Sequence, residues 1–448
     1  MKFQKLLPLM FAGAVAISAG VSSCKKESNT PTPPPADTSN VLTGDITSNR
    51  TLTNNKPWTL KGYVYVKDGA TLTIPAGTII KSDIIEKGAL IVERGGKLVA
   101  EGTATSPIVF TSGLPKGQRR PGDWGGIILL GKAPTNRTSE PTIEGGVNRQ
   151  YGGTDANDNS GILKYVRIEF AGIAAAPGSE INSLTLGGVG NGTTIENVMV
   201  SYGNDDGFEF FGGTVNCKNL ISWASLDDDF DFDFGYSGKI QFAISAKHPQ
   251  YADNGDASNG IECDNDGTGT LATPFTHPNL SNFTFVGPNG RANTQANHNF
   301  ANRFRRSTHF TLRNSVMIGF QKAGLSLESA ETGTAYTNGT SEFKNNLVHA
   351  ITKPFFGNSG SGLTDSTIKA IAIANGCIAL DSANQVMLAN PWSLTAPSFA
   401  PQTGSMVLSG ASFSGLDAYF EIVNHVGAIG NNDWTQGWTN WDPNNADY

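Results

Sequence analysis

The feature that most constrains this chain is a repeat in register with itself. Asn197, Asp205, Asp206, Phe208, Glu209 and Phe210 are each followed 22 residues later by Asn219, Asp227, Asp228, Phe230, Asp231 and Phe232. A second pair, Val66 to Leu72 and Val92 to Leu98, repeats at a spacing of 26, each copy reading as strand, tight turn, strand. Repeats of this length, each holding two or three short strands, predict a solenoid of stacked β coils. Each coil then adds one strand to every parallel sheet, and inward side chains stack on those of the next coil. The 53 glycines and the short alternating runs fit an all-β chain with almost no sustained helical period.

The run from Trp58 to Val64, with Gly69 to Thr78, resembles the opening coils of right-handed parallel β-helix proteins. Gly122 to Ile127, Tyr165 to Gly172 and Trp434 to Thr439 are similar to segments of lipid-anchored or secreted bacterial β-helix proteins of the pectate-lyase-like kind. The resemblance covers most of residues 43 to 448. It implies an all-β, single-stranded, right-handed parallel β-helix with an irregular C-terminal cap, and it says little about function.

The ends add two expectations. Residues 1–23 carry Lys2 and Lys5, an apolar run from Leu6 to Val21, then Ser22 and Ser23 before Cys24, the order of a secretory signal. Val-Ser-Ser-Cys resembles a lipobox, which implies cleavage before Cys24 and a membrane-holding lipid on its thiol. Residues 24–41, with Pro31, Pro33, Pro34 and Pro35, read as a solvated tether. Lys25 and Lys26 do not resemble an inner-membrane retention signal, so an exported outer-membrane lipoprotein is expected, with its membrane face left open. The β-helix is expected over 42–394. At the far end, 395–448 holds Phe399, Phe413, Phe420, Trp434, Trp438 and Trp441, aromatics suited to capping an open solenoid or to stacking on sugars.

Charge excludes one class of partner. The formal net charge is −7, or −9 once the two signal lysines are gone, and an acidic body repels nucleic acid. Beyond Cys24 only Cys217, Cys263 and Cys377 remain, an odd number that reads as buried thiols rather than a disulfide scaffold. His277, His298, His309, His349 and His425 show no metal-ligand spacing.

The 22-residue repeat places carboxylates with care. In Phe208-Glu209-Phe210 and Phe230-Asp231-Phe232-Asp233, alternation sends phenylalanines inward and Glu209, Asp231 and Asp233 outward. Glu262 supplies a third rung after a longer loop. Like charges on adjacent rungs, about 5 Å apart, repel by roughly 3 kcal/mol at an effective dielectric near 20. A bound cation, arginines such as Arg303, Arg305 or Arg306, or raised carboxyl pKa values would offset this. Ca²⁺ suits Glu209, Asp231, Asp233 and Glu262, with further oxygens from Asp205, Asp206, Asp227, Asp228 and Asp229 at the preceding turns. Asp155 to Gly161 and Asp264 to Gly267 are weaker oxygen-rich loops, and neither completes an EF-hand.

Two uses of that face follow. One is an envelope-anchored surface that binds glycans or other surfaces, stiffened by calcium. The alternative is polysaccharide cleavage. Asn204-Asp205-Asp206-Gly207, Asp227-Asp228 and His248 resemble the series of polygalacturonase-type hydrolases, which implies Asp228 as acid and Asp206 and Asp227 as activators of water. His248 lacks that family's flanking glycines, and no Arg-x-Lys follows. A calcium-dependent lyase is a further variant, for which the sequence offers no clear base. Oligomeric state is not legible.

Overall fold

Alternating side chains and repeated turns carry the chain around a three-sided coil, shown by a computed structural model that describes residues 40–176 and 179–448. Cys24, the signal and nearly all of the tether lie outside the described residues. The coils form a right-handed parallel β-helix. One sheet stacks Leu184–Gly187, Phe208–Phe211, Phe230–Asp233, Ile261–Cys263 and Asn302–Phe304 in parallel register. The second and third sheets share long strands that bend midway, among them Thr194–Ser201, Cys217–Trp223 and Lys239–Ala246.

The interior is built from equivalent positions on successive coils. Phe208 lies on Phe230 with ring centroids 5.1 Å apart, and Phe210 on Phe232 at 5.0 Å. Such pairs contribute about 0.5–1.5 kcal/mol beyond the apolar area they bury. Ile195, Cys217, Ile240, Leu280 and Leu312 continue the stack on the second sheet, all fully or almost fully buried. The three cysteines after Cys24 are buried free thiols.

The bend between the second and third sheets explains the repeated asparagines. Asn197 and Asn219 are left-handed, with φ of 54° and 59°, and so are Asn282, Asn314 and Asn345 in the equivalent turns further along. Asparagine tolerates this conformation better than other residues with a β-carbon. The recurrence of Asn at 22 residues therefore records a corner.

Strands of the third sheet are apolar on both faces, as in Val198-Met199-Val200 and Leu220-Ile221, so their outer side needs a cover. The C-terminal segment supplies it. Phe399, Val407, Val426, Ile429 and Trp438 pack with Met199, Ile221, Ile244 and Val316 in a second apolar cluster outside the coil. From Asn314 the segment runs back toward early coils. Asn314 bonds the backbone of Ser412, Trp223 donates to the carbonyl of Trp441 at 3.1 Å, and Arg119 donates to the carbonyl of Pro443 at 2.6 Å. The aromatic residues expected to sit on the end of the solenoid thus strap its flank. The end is covered by the helix Asp365–Ala374, which buries Ile368 and Ala372, one turn apart, against the interior.

Candidate acidic cleft

Strand register brings the expected carboxylates together. Glu209 pairs with Asp231 and Asp231 with Glu262, while Thr185 and Arg303 occupy the same position on the preceding and following coils. The row faces outward but is covered: Glu209 is only 8% exposed. Asn182 donates to Glu209 and, at 3.3 Å, to Glu144, which comes from the loop ahead of these coils. Asn182 thus holds Glu144 beside Glu209, and burial raises the Glu144 carboxyl above its ordinary range. Sequence reasoning missed Asn182 and Glu144, since nothing local marks that loop as a cover.

Beside this row runs a second ladder, three residues earlier on each coil and just ahead of each strand. Asn182 Oδ1 accepts from the N–H of Asp206 at 3.3 Å, Asp206 Oδ1 from that of Asp228 at 2.8 Å, Asp228 Oδ1 from that of Asn259, and Asn259 Oδ1 from that of Phe300 at 3.1 Å. Asp206 and Asp228 thus fill places that asparagine fills on the flanking coils. In an asparagine the second side-chain atom is a donor; in an aspartate it is another oxygen. Asp206 brings that second oxygen into the cleft.

Two sets of carboxylates meet through Asp206. Asp205, Asp206 and Asp227 form one, and Asp206, Glu209 and Asp231 the other; within each set one oxygen from every residue lies within 4.8 Å of the others. At that distance a pair of full charges repels by about 3 kcal/mol at an effective dielectric of 20. Burial, and after it Glu144 and Glu180, pushes the Asp205 carboxyl up to about 8. Burial and then Asp205 hold Asp206 and Asp227 well above the ordinary carboxyl range; burial and then Glu144 do so for Glu209, and burial and then Glu262 for Asp231. Asp227 Oδ1, Asp231 Oδ1 and Thr185 Oγ1 are buried without a hydrogen-bond partner. Buried polar atoms are nearly always satisfied, so a group of orphan oxygens calls for a proton or a cation.

The remaining candidates are used elsewhere. Glu262 is gripped by Arg303 at 2.9 Å and by Arg305, and Asp264 by Arg305 at 2.9 Å and Arg306 at 2.7 Å. The arginines therefore compensate the third rung and leave the first two alone. Asp233 accepts from the N–H of Phe234 at 2.6 Å and joins neither carboxylate set. Asp229 turns into the coil, fully buried, between Ser222 and Ser245 and 3.5 Å from the buried ammonium of Lys247. It adds no oxygen to the cleft.

Asp206, Asp227 and Asp228 adjoin one another, but His248 is not with them. Its ring packs among Tyr202, Trp223 and Tyr251, its Nδ1 accepts from the N–H of Gln250 at 3.2 Å, and burial followed by Arg291 lowers its pKa to about 4. Of the two weaker loops, Asp266 is spent on Thr268 and Thr270 of its own turn and held near 2. Among the described residues neither loop gathers three acidic groups.

A family model described as a pectate-lyase like beta helix domain matches residues 44–393. Among solved structures, a crystal structure of pectate lyase Pel9A aligns with 86% of this chain and 89% of its own, at 12% identity and a TM-score of 0.42. No curated protein matches.

Proposed function

We propose, for a chain that belongs to the pectate-lyase-like β-helix family, that the acidic cleft takes up Ca²⁺ and with it an acidic polysaccharide, which the protein holds rather than cuts. The observation that carries this is the pair of buried, unpartnered oxygens on Asp227 and Asp231, one in each of two close carboxylate sets that share Asp206. The residues fit such an ion. All candidate ligands are oxygens, as a hard cation requires, and ligands around Ca²⁺ at 2.3–2.6 Å stand at most roughly 5 Å apart. Asp205, Asp206, Asp227, Glu209 and Asp231 would hold it. Bound there, it supplies the positive charge that an acidic cleft needs before it attracts a uronate carboxylate.

Two features weigh against hydrolysis. Asp206 and Asp228 each have an oxygen tied to a backbone N–H of the next coil, and His248 sits in an aromatic nest. Holding the β-helix at a bacterial envelope through a lipid on Cys24 completes the proposal.

Calorimetry on chelator-stripped protein tests the reading. Ca²⁺ should give saturable heat, oligogalacturonate should bind only after Ca²⁺, and Asp231→Asn should weaken both. Absence of heat together with an unchanged melting temperature on adding Ca²⁺ would remove it. Release of reducing ends by the wild type but not by Asp228→Asn would replace it with the hydrolase.

A further inference from the structure

The corner between the second and third sheets meets the C-terminal strap through its amides. Gln241 donates to the carbonyl of Glu421 and accepts from its N–H, both at 2.7 Å, and Asn282 donates to the carbonyl of His425 at 2.9 Å. Asn219 has the same left-handed backbone as Asn282 and Asn314, yet among the described residues its side-chain amide makes no hydrogen bond, and it lines a cavity instead. The cavity, half-open and of about 480 Å³, lies between this corner and the segment 421–434. The acidic cleft belongs to the first sheet, on another side of the coil.

The lining says what would fit. Neither lysine nor arginine borders the cavity, and its single carboxylate, Glu421, is exposed, so an anion finds no countercharge. Asn219, Asn424, Asn431 and Asn432 each bring an amide that both donates and accepts. His425 directs Nδ1 at the carbonyl of Gly427, 3.2 Å away, which fixes the proton there and leaves Nε2 as an acceptor. Phe242 and Trp434 contribute aromatic surface, and the indole N–H of Trp434 is already spent on the carbonyl of Ala428 at 2.8 Å. Amides pair with adjacent hydroxyls, and aromatic surface suits the C–H face of a pyranose.

We infer that this cavity is a second binding site, for a neutral sugar, independent of the acidic cleft. The size is within the range of small-ligand sites, which bury most of their ligand in about 300–1,000 Å³. The strap therefore has two uses: it covers the third sheet and it completes the wall of a pocket.

Methyl pyranosides of glucose, galactose and mannose, titrated in chelator and followed by tryptophan fluorescence and calorimetry, test the inference, with glucuronate as the charged comparison. At least one neutral pyranoside should bind saturably and more tightly than glucuronate. Asn219→Gly keeps the left-handed corner without its amide, and should weaken that binding about tenfold or more at an unchanged melting temperature. Asn431→Ala, in the exposed wall, should weaken it as well. Calcium heat should be the same in both variants. No saturable binding by any of the three, binding lost in chelator, or wild-type affinity in both variants would overturn the site.

Discussion

Raising the pH from 6.5 to 8 in chelator should destabilise this protein, and adding Ca²⁺ should abolish the effect. Asp205 is pushed up to about 8 by burial and its acidic neighbours. Its folded-state pKa is thus above its unfolded value, so its stabilising contribution is complete at low pH and is lost as pH rises through the folded value. Over this window the folded state keeps a proton that the unfolded state has released, at a cost of about 1.4 kcal/mol per pH unit. Across 1.5 units that is about 2 kcal/mol for Asp205 alone. Asp206, Glu209, Asp227 and Asp231 shift in the same direction and add to it. The window matters, because buried histidines act oppositely at lower pH. His248 and His277 are pushed down to about 4 and His298 to about 3, so they gain most of their stability as pH rises toward 6.5 and only about 0.4 kcal/mol each above it, as the unfolded imidazoles lose their remaining protons; the five carboxyls together outweigh this. Unfolding about 400 residues releases roughly 0.8 kcal/mol/K, so 2 kcal/mol lowers the melting temperature by about 2–3 °C. Scanning calorimetry at pH 6.5 and 8, with chelator and then with Ca²⁺, reads this directly. Asp205→Asn should remove one proton's share of the slope. A melting temperature that is level or rising in chelator would refute the claim that these carboxyls are packed without countercharge.

Other outcomes follow from particular contacts. Lys247→Met leaves the buried carboxyl of Asp229 without its ammonium and should cost about 3–5 kcal/mol in denaturant titrations, most of it regained by adding Asp229→Asn. Trp438→Ala removes a buried indole from the cluster under the strap; about 3–5 kcal/mol should be lost, and limited proteolysis should cut first beyond residue 395. For the anchor, Cys24→Ser should move the protein from the membrane fraction to the soluble one, and an unchanged distribution would dismiss the lipid.

What could be read from the sequence was what depends on near neighbours. Alternation alone put Phe208 and Phe210 inside and Glu209 outside, and the 22-residue spacing then stacked Glu209 on Asp231. Asp206 and Asp228 show where local reading stops. Both resemble catalytic aspartates, and their bonds to the N–H groups of Asp228 and Asn259 exist only once three coils are stacked. Asp227, Asp228 and Asp229 are chemically identical in sequence, so nothing there says that Asp229 alone turns inward to Lys247. Glu144 reaches the cleft from a loop with no periodic signal. The misplaced C-terminal aromatics did have a signal: apolar residues at consecutive positions, as in Val198-Met199-Val200, mark a strand covered on its outer face as well.

The strap also changes how the coils depend on one another. In a stack where each coil touches only its neighbours, terminal coils can fray one at a time. Here Lys81 donates to the backbone carbonyl of Tyr448, 367 residues away along the chain, while Asn314 holds Ser412. Opening an early coil therefore breaks contacts that also serve late ones, which pushes unfolding toward a single all-or-none event. Closing so long a loop carries an entropic penalty that grows only with the logarithm of its length. Until the strap docks, the stack must stand on ladder contacts alone, and docking then locks early and late coils together.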